Sequence, residues 1–280
     1  MKKLNFLLVS AFLLVFLYAC SSSDNNNNSS NDNSSSGDEN KPVELKVGAS
    51  SVPHAELLEH LAEDLEKDGV KLNIEIVNDG VQTNRATNDG DLDLNFFQHT
   101  PYLEQSNKES GFELVNVGGV HIEPFGVYSK KIKDINDLPN GAKVAIPKDV
   151  TNFSRALLLF ASNGIIELDS SKDGDYTLKD ITKNEKNIEF IGVDGPLLNR
   201  SLDDVDAAAI NTNYALEGGL NPTEDALIIE GKDSPYVNIV VTHKDRANDE
   251  NIKKVVKWLT SDKAKEFIES KYEGAVVPAF

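Results

Sequence analysis

The sequence predicts an α/β fold built from two units in series. Three observations carry that prediction. A strand–helix–strand run occupies residues 44–77, and a second strand–helix pair occupies residues 143–162. No fixed-period repeat links them, which excludes a solenoid. Two such units side by side make a two-lobed body, and clefts between lobes commonly bind small molecules.

Residues 44–49 read as the first strand. Pro53 opens a helix in which Leu57, Leu58, Leu61 and Leu65 recur at helical spacing, and Gly69 ends it. Residues 71–77 alternate cleanly as a second strand, so the order predicts a βαβ unit with parallel pairing. Asp93 to Phe96 reads as a strand end. Phe97, Gln98 and His99 then fall in a loop, with Thr100 as N-cap and Pro101 at the first helical position, where no N–H is needed. A strand at 112–117 and an extended stretch at 121–128 follow. The second series is a strand at 143–147, a Leu-rich helix at 152–162 closed by Gly164, and strands at 187–191 and 206–210. A short helix at 212–217, a strand at 237–242 and helices at 250–259 and 262–269 complete the chain.

Composition narrows the function. Of 280 residues, 39% are hydrophobic and 26% charged, which fits a soluble globular body. A formal net charge of −18 argues against a nucleic-acid partner, because phosphate contacts need basic surface. Lys2 and Lys3 precede an apolar run at 4–17, the arrangement of a secretory signal peptide over residues 1–19. The run ends in Leu17-Tyr18-Ala19-Cys20, which resembles the bacterial lipobox, whose cysteine is lipidated and becomes the new N-terminus. Cys20 is the only cysteine, so no internal disulfide forms. The next twenty residues are almost all Ser, Asn, Asp and Gly and cannot bury apolar surface, so 20–42 reads as a lipid-anchored, disordered tether. It would span roughly 25 Å as a flexible coil. An anchor outside the cytoplasm disfavours nucleotide-driven chemistry. There is also no phosphate loop, dinucleotide fingerprint, nucleophile elbow or His-Glu-x-x-His, and no cofactor is expected.

Three stretches carry groups suited to a ligand. Phe97, Gln98 and His99 are either a pocket wall or a core aromatic pair beside a turn histidine. Arg155 stands near the start of an otherwise apolar helix. There its guanidinium fork suits a carboxylate ligand, or it pairs with an acid of the chain itself. Asn211 and Asn213 follow a strand end and fit either a turn or a ligand. Asn238 is a lone amide in a β-branched strand, where a polar group should have a partner.

These segments together resemble the NlpA/MetQ family of methionine-binding lipoproteins, which serve ABC importers. The likeness rests on Cys20, on 93–103, on His121-Ile122-Glu123-Pro124, on Tyr128-Ser129-Lys130-Lys131, on the helix from Asn152 to Leu159, on Ile210-Asn211 and on Ser234 to Asn238. It implies a two-lobed periplasmic-binding-protein fold, type II-like, with the ligand cleft between lobes: 43–125 plus 239–280 in one, 126–238 in the other. It also implies that Arg155 holds the ligand carboxylate and that Asn211, Asn213 and Asn238 orient the amino-acid backbone. Phe97 and His99 would wall the side-chain pocket, and His54 of Pro53-His54-Ala55-Glu56 matches a usual segment. One departure stands out: Asn78-Asp79 is followed by Gly80 where the family usually has tyrosine. Losing that ring should enlarge the pocket or remove a lid. The adjoining 82–87 segment is more polar than usual and adds Arg85.

The expectation is a lipid-anchored solute-binding protein of an ABC importer, with no chemical step. It would capture an amino acid, methionine first, and deliver it to a permease and its ATPase. Another amino acid or a methionine-containing dipeptide is the alternative ligand. A metal-importer binding protein using His54, His99 and a carboxylate is a second reading, and a secreted hydrolase, which lacks a nucleophile–base signature, a third.

Overall fold

A computed structural model describes residues 41–231 and 233–280. The expected signal peptide, Cys20 and the expected tether up to residue 40 lie outside the described residues.

Two sheets organise the chain. The first has strand order β13-β4-β12-β3-β1-β2, with β1 Val43–Ala49, β2 Val70–Ile76, β3 Leu94–His99, β4 Leu114–Ile122, β12 Val237–His243 and β13 Val277–Pro278. As expected, β1 pairs in parallel with β2 and also with β3; β12, β4 and β13 add antiparallel edges. The second sheet has order β11-β5-β10-β6-β9, with β5 Gly126–Tyr128, β6 Lys143–Pro147, β9 Glu189–Val193, β10 Ala207–Ile210 and β11 Ile228–Ile229. A separate hairpin joins β7 Glu167–Leu168 to β8 Ile181–Lys183.

The chain passes between the sheets twice, from β4 to β5 and from β11 to β12. The second passage ends before Val237, two residues earlier than the expected boundary at 238/239. The reason is that Val237 and Asn238 already pair with Ile122 and His121 of β4.

Helix α1 (Glu56–Lys67) buries Leu57, Leu58, Leu61 and Leu65 against the first sheet. Full burial of each such side chain is worth roughly 2 kcal/mol. The same core takes in α8 (Glu250–Leu259) and α9 (Asp262–Tyr272), through Val255, Leu259 and Ile268. On the second sheet, α4 (Val150–Ser162) buries Ala156, Leu157 and Phe160. Short helices α5 (Leu198–Ser201), α6 (Thr212–Glu217) and α7 (Pro222–Asp225) cover other parts of the second half.

Two local expectations shift. Strand β3 continues through His99, so Phe97 to His99 are strand residues rather than a loop. Helix α3 (Thr100–Ser110) is capped by His99, whose Nδ1 accepts the Tyr102 N–H at 3.2 Å, and not by Thr100. Helix α2 (Gly80–Asp89) has no apolar stripe to announce it. Its N-cap is Asp79, which accepts the Gln82 N–H. It docks through buried amides: Asn84 bonds Gln98, and Asn95 bonds Thr87 at 2.7 Å.

Candidate functional site

A cleft of about 590 Å³ opens between the two halves. Phe97, His99, Arg155, Asn211, Asn213 and Asn238 all line it, so six of the seven expected ligand-binding residues are brought together. Glu123, Asn152, Asp149, Tyr102 and Tyr214 line it as well.

The seventh, His54, does not reach the cleft. It is 1% exposed and sits behind Asn238 and Glu123. Two acceptors face its Nε2, namely Asn238 Oδ1 at 3.0 Å and Glu123 Oε1 at 3.4 Å, which places the proton on that nitrogen. His121 Nε2–H donates to the same Glu123 oxygen at 2.8 Å. The Asn213 backbone N–H donates to Glu123 Oε2 at 3.0 Å. Burial lowers His54 to about 4 against the pull of Glu123, and lowers His121 to about 3. Burial also pushes the Glu123 carboxyl upward, opposed by His54, the Asn213 N–H and Arg155. The result is a buried carboxylate held by neutral donors at the cleft floor.

Arg155 is 3% exposed, on the inner face of α4. Its Nε donates to Glu230 Oε1 at 2.7 Å and its Nη2 to Glu230 Oε2 at 2.5 Å. Nη2 also donates to the Glu123 backbone carbonyl at 2.9 Å. The rings of Phe125 and Tyr236 lie 5.0 and 4.2 Å from the guanidinium carbon. The bidentate fork is therefore closed on an internal acid and is not open for a ligand carboxylate. Nη1 has no hydrogen-bond partner among the described residues, and Arg155 lines the cleft.

His99 joins the halves. Its Nδ1 is occupied by the helix cap, so Nε2–H donates to Asn152 Oδ1 at 3.1 Å. The same oxygen accepts from Asn211 Nδ2 at 3.0 Å, and Asn152 Nδ2 donates to Asp149 at 3.0 Å. Burial, reinforced by the Arg155 charge, lowers His99 to about 3.

The place opposite Gly80 is not open space. A Cβ there would stand 2.5 Å from Tyr102 Oη and 2.9 Å from Phe97 Cε2. Tyr102 and Phe97, edge to face at 6.1 Å, fill it. Arg85 does not line the cleft; its guanidinium lies 5.7 Å from the centre of the Phe112 ring.

Among the described residues, His54, His121 and Glu123 are the one group with metal-ligand chemistry, their ligand atoms lying within 4.8 Å of one another. The expected trio of His54, His99 and a carboxylate does not assemble, because His99 is committed to Asn152 and Tyr102. Coordination through His121 Nε2 would move its proton to Nδ1, which has no acceptor. Metal-bound histidines ordinarily have such a partner. The geometry favours hydrogen-bonded neutral imidazoles over an ion.

Of the residues that sequence reasoning missed, Glu123 had a signal, being the one acid inside the extended stretch at 121–128. Glu230 had none, since its partner lies 75 residues away.

Comparison with known proteins accords with this architecture. The profile described as NlpA lipoprotein matches residues 45–280. The chain belongs to the NlpA lipoprotein family. The methionine-binding lipoprotein MetQ of Bacillus subtilis is 42% identical over 86% of this chain and 90% of its own length. The D-methionine-binding lipoprotein MetQ of Escherichia coli is 41% identical over 86% and 90%. Among solved structures, a nutrient-binding protein from Burkholderia cenocepacia bound to methionine is 42% identical with a TM-score of 0.82, covering 84% of this chain and all of that one. The fold is thus the two-lobed α/β fold of the ABC-importer substrate-binding proteins in this family.

Proposed function

We propose that this NlpA-family chain is the solute-binding component of an ABC importer and captures a free amino acid, methionine first. The observation that carries this reading is the pairing of opposite charges on one cleft floor. Glu123 and Arg155 both line the same cavity, and Arg155 Nη2 is bonded to the Glu123 main chain. A zwitterion matches that pattern. Its ammonium meets the Glu123 carboxylate and Asn211 Oδ1; its carboxylate meets Arg155 Nη1 and Asn238 Nδ2. Asn213 lies beside them in the lining.

The side chain then extends toward Phe97, His99 and Tyr102, where a thioether gains contacts with aromatic edges. The names of the relatives, methionine-binding lipoproteins, support methionine over other amino acids. A lipid on Cys20 would hold the body at the membrane, ready to pass its cargo to a permease driven by an ATPase. The work is binding alone, strengthened as closure excludes water from the polar contacts.

A methionine-containing dipeptide is the second reading, favoured by a cleft of about 590 Å³, ample for drug-sized ligands. Calorimetry with a panel of free amino acids and dipeptides tests both. Tight one-to-one binding of methionine is expected; binding of dipeptides alone would replace the first reading with the second.

A further inference from the structure

Asn152 lies buried in the first turn of α4, and its side-chain amide is held from two sides. Each side is anchored by a main-chain N–H, a donor that cannot reverse. The Tyr102 N–H donates to His99 Nδ1, so that nitrogen is bare and the neutral ring carries its proton on Nε2. The Asn152 atom that faces Nε2 at 3.1 Å must then be its oxygen. On the other side, the Asn152 main-chain N–H donates to Asp149 Oδ1, which fixes that atom as an acceptor. Asn152 Nδ2 donates to the same atom at 3.0 Å. Both anchors demand one orientation of the amide.

That orientation passes to Asn211. The Asn152 oxygen has two lone pairs; one takes His99 and the other takes Asn211 Nδ2 at 3.0 Å. Asn211 can meet this oxygen only with its NH2 group, so its own Oδ1 is the end left over, without a hydrogen-bond partner among the described residues. Local structure does not claim it. Asn211 stands at the N-cap of α6, where an asparagine ordinarily bonds the first free N–H groups. Here its side chain makes no cap bond, and the Asn213 N–H goes to Glu123 Oε2 instead. Asn152, Asn211 and Glu123 all line the cleft.

We infer that Asn152 is a positioning residue, whose fixed hydrogen bonds hold Asn211 with its oxygen free, so that the site offers an acceptor to the ligand's ammonium. The inference rests on the amino-acid reading of the cleft. Released from Asn152, the Asn211 amide could turn over and present NH2, which an ammonium cannot use.

Calorimetry on the full chain, with methionine and with the analogue that lacks only its amino group, separates this role from packing. Asn152→Leu keeps similar volume and removes the acceptor. Methionine should weaken about fivefold relative to the analogue, one hydrogen bond's worth. Asn152→Asp keeps an oxygen toward His99 and Asn211 and should retain the native preference for the amine, even where stability falls. Equal weakening of the two ligands by Asn152→Leu, or loss of the preference in Asn152→Asp as well, overturns the inference and leaves the amino-acid reading intact. One measurement needs no variant: nitrogen NMR of the native imidazoles should show His99 with its proton on Nε2, and a proton on Nδ1 overturns the inference too. A native chain that binds no free amino acid overturns the underlying reading itself.

Discussion

The two charges on the cleft floor are buried in opposite ways. Arg155 is matched by a full countercharge, Glu230, and clasped between two rings. Glu123 is surrounded by neutral donors: two imidazoles and a backbone N–H. The cation is thus neutralised before any ligand arrives, while the anion is solvated without being neutralised. Two largely buried acids, Glu123 and Glu230, flank one guanidinium, and burial presses Glu123 toward its neutral form, which a cationic ligand group would reverse. On the amino-acid reading proposed above, the difference makes the ligand's ammonium the stricter requirement, with the carboxylate oriented more than captured.

Four experiments break or sharpen that contrast. The largest effect belongs to Arg155→Ala. It strands Glu230 in a largely buried position, and unfolding free energy should fall by about 3 kcal/mol in denaturant titration. Methionine binding should weaken by more than about 1.5 kcal/mol in calorimetry. Unchanged affinity would remove Arg155 from the site. Glu123→Gln comes next. It keeps the shape but not the charge, so methionine should lose about 2 kcal/mol, whereas an analogue lacking the amino group should lose nothing. Equal losses for the two ligands would contradict the asymmetry.

Acid sensitivity is the third. His54, His99 and His121 take a proton near 6.5 when unfolded, but in the folded state only at about 4, about 3 and about 3. Stability present above the unfolded value is therefore lost as pH falls from 6.5 toward 4, by about 1.4 kcal/mol per pH unit for each histidine. Glu123 and Asp149, raised by burial, oppose this only as pH nears their own shifted range. Denaturation midpoints between about pH 7 and pH 5.5 should fall, and His121→Phe should flatten the decline. A flat native profile would mean that the imidazoles are not held neutral. The smallest effect is Asn152→Ala, which unlinks His99 from Asn211 and should cost about 1 kcal/mol of binding. Titration calorimetry at one temperature is sufficient to see it.

How much of this could be read from the chain follows from where apolar periodicity carries information. Helix α1 and strands β1 and β2 were legible because their buried side chains repeat at helical or alternating spacing. The helices Thr212–Glu217 and Glu250–Leu259 emerge with the bounds expected. Helix α2 was not legible, because its inward face is amide and hydroxyl, satisfied by Gln98 and Asn95 rather than by apolar packing. The strands Ile228–Ile229 and Val277–Pro278 are too short to show a period. In the site, residue types that stood out locally, such as Arg155 and Asn238, did gather at the cleft. What they bond to did not show, since Glu230 and His54 are set by tertiary placement across 75 and 184 residues.

The route of the chain between the sheets has a consequence for release. Glu123 lies on the first connecting segment, and Glu230 and Tyr236 on the second. On the proposed reading, the groups that would grip or steady both ends of a zwitterion ride on the two segments that join the halves. If the halves swing about these segments, widening the cavity would also part the electrostatic cradle, and opening and letting go would be a single event.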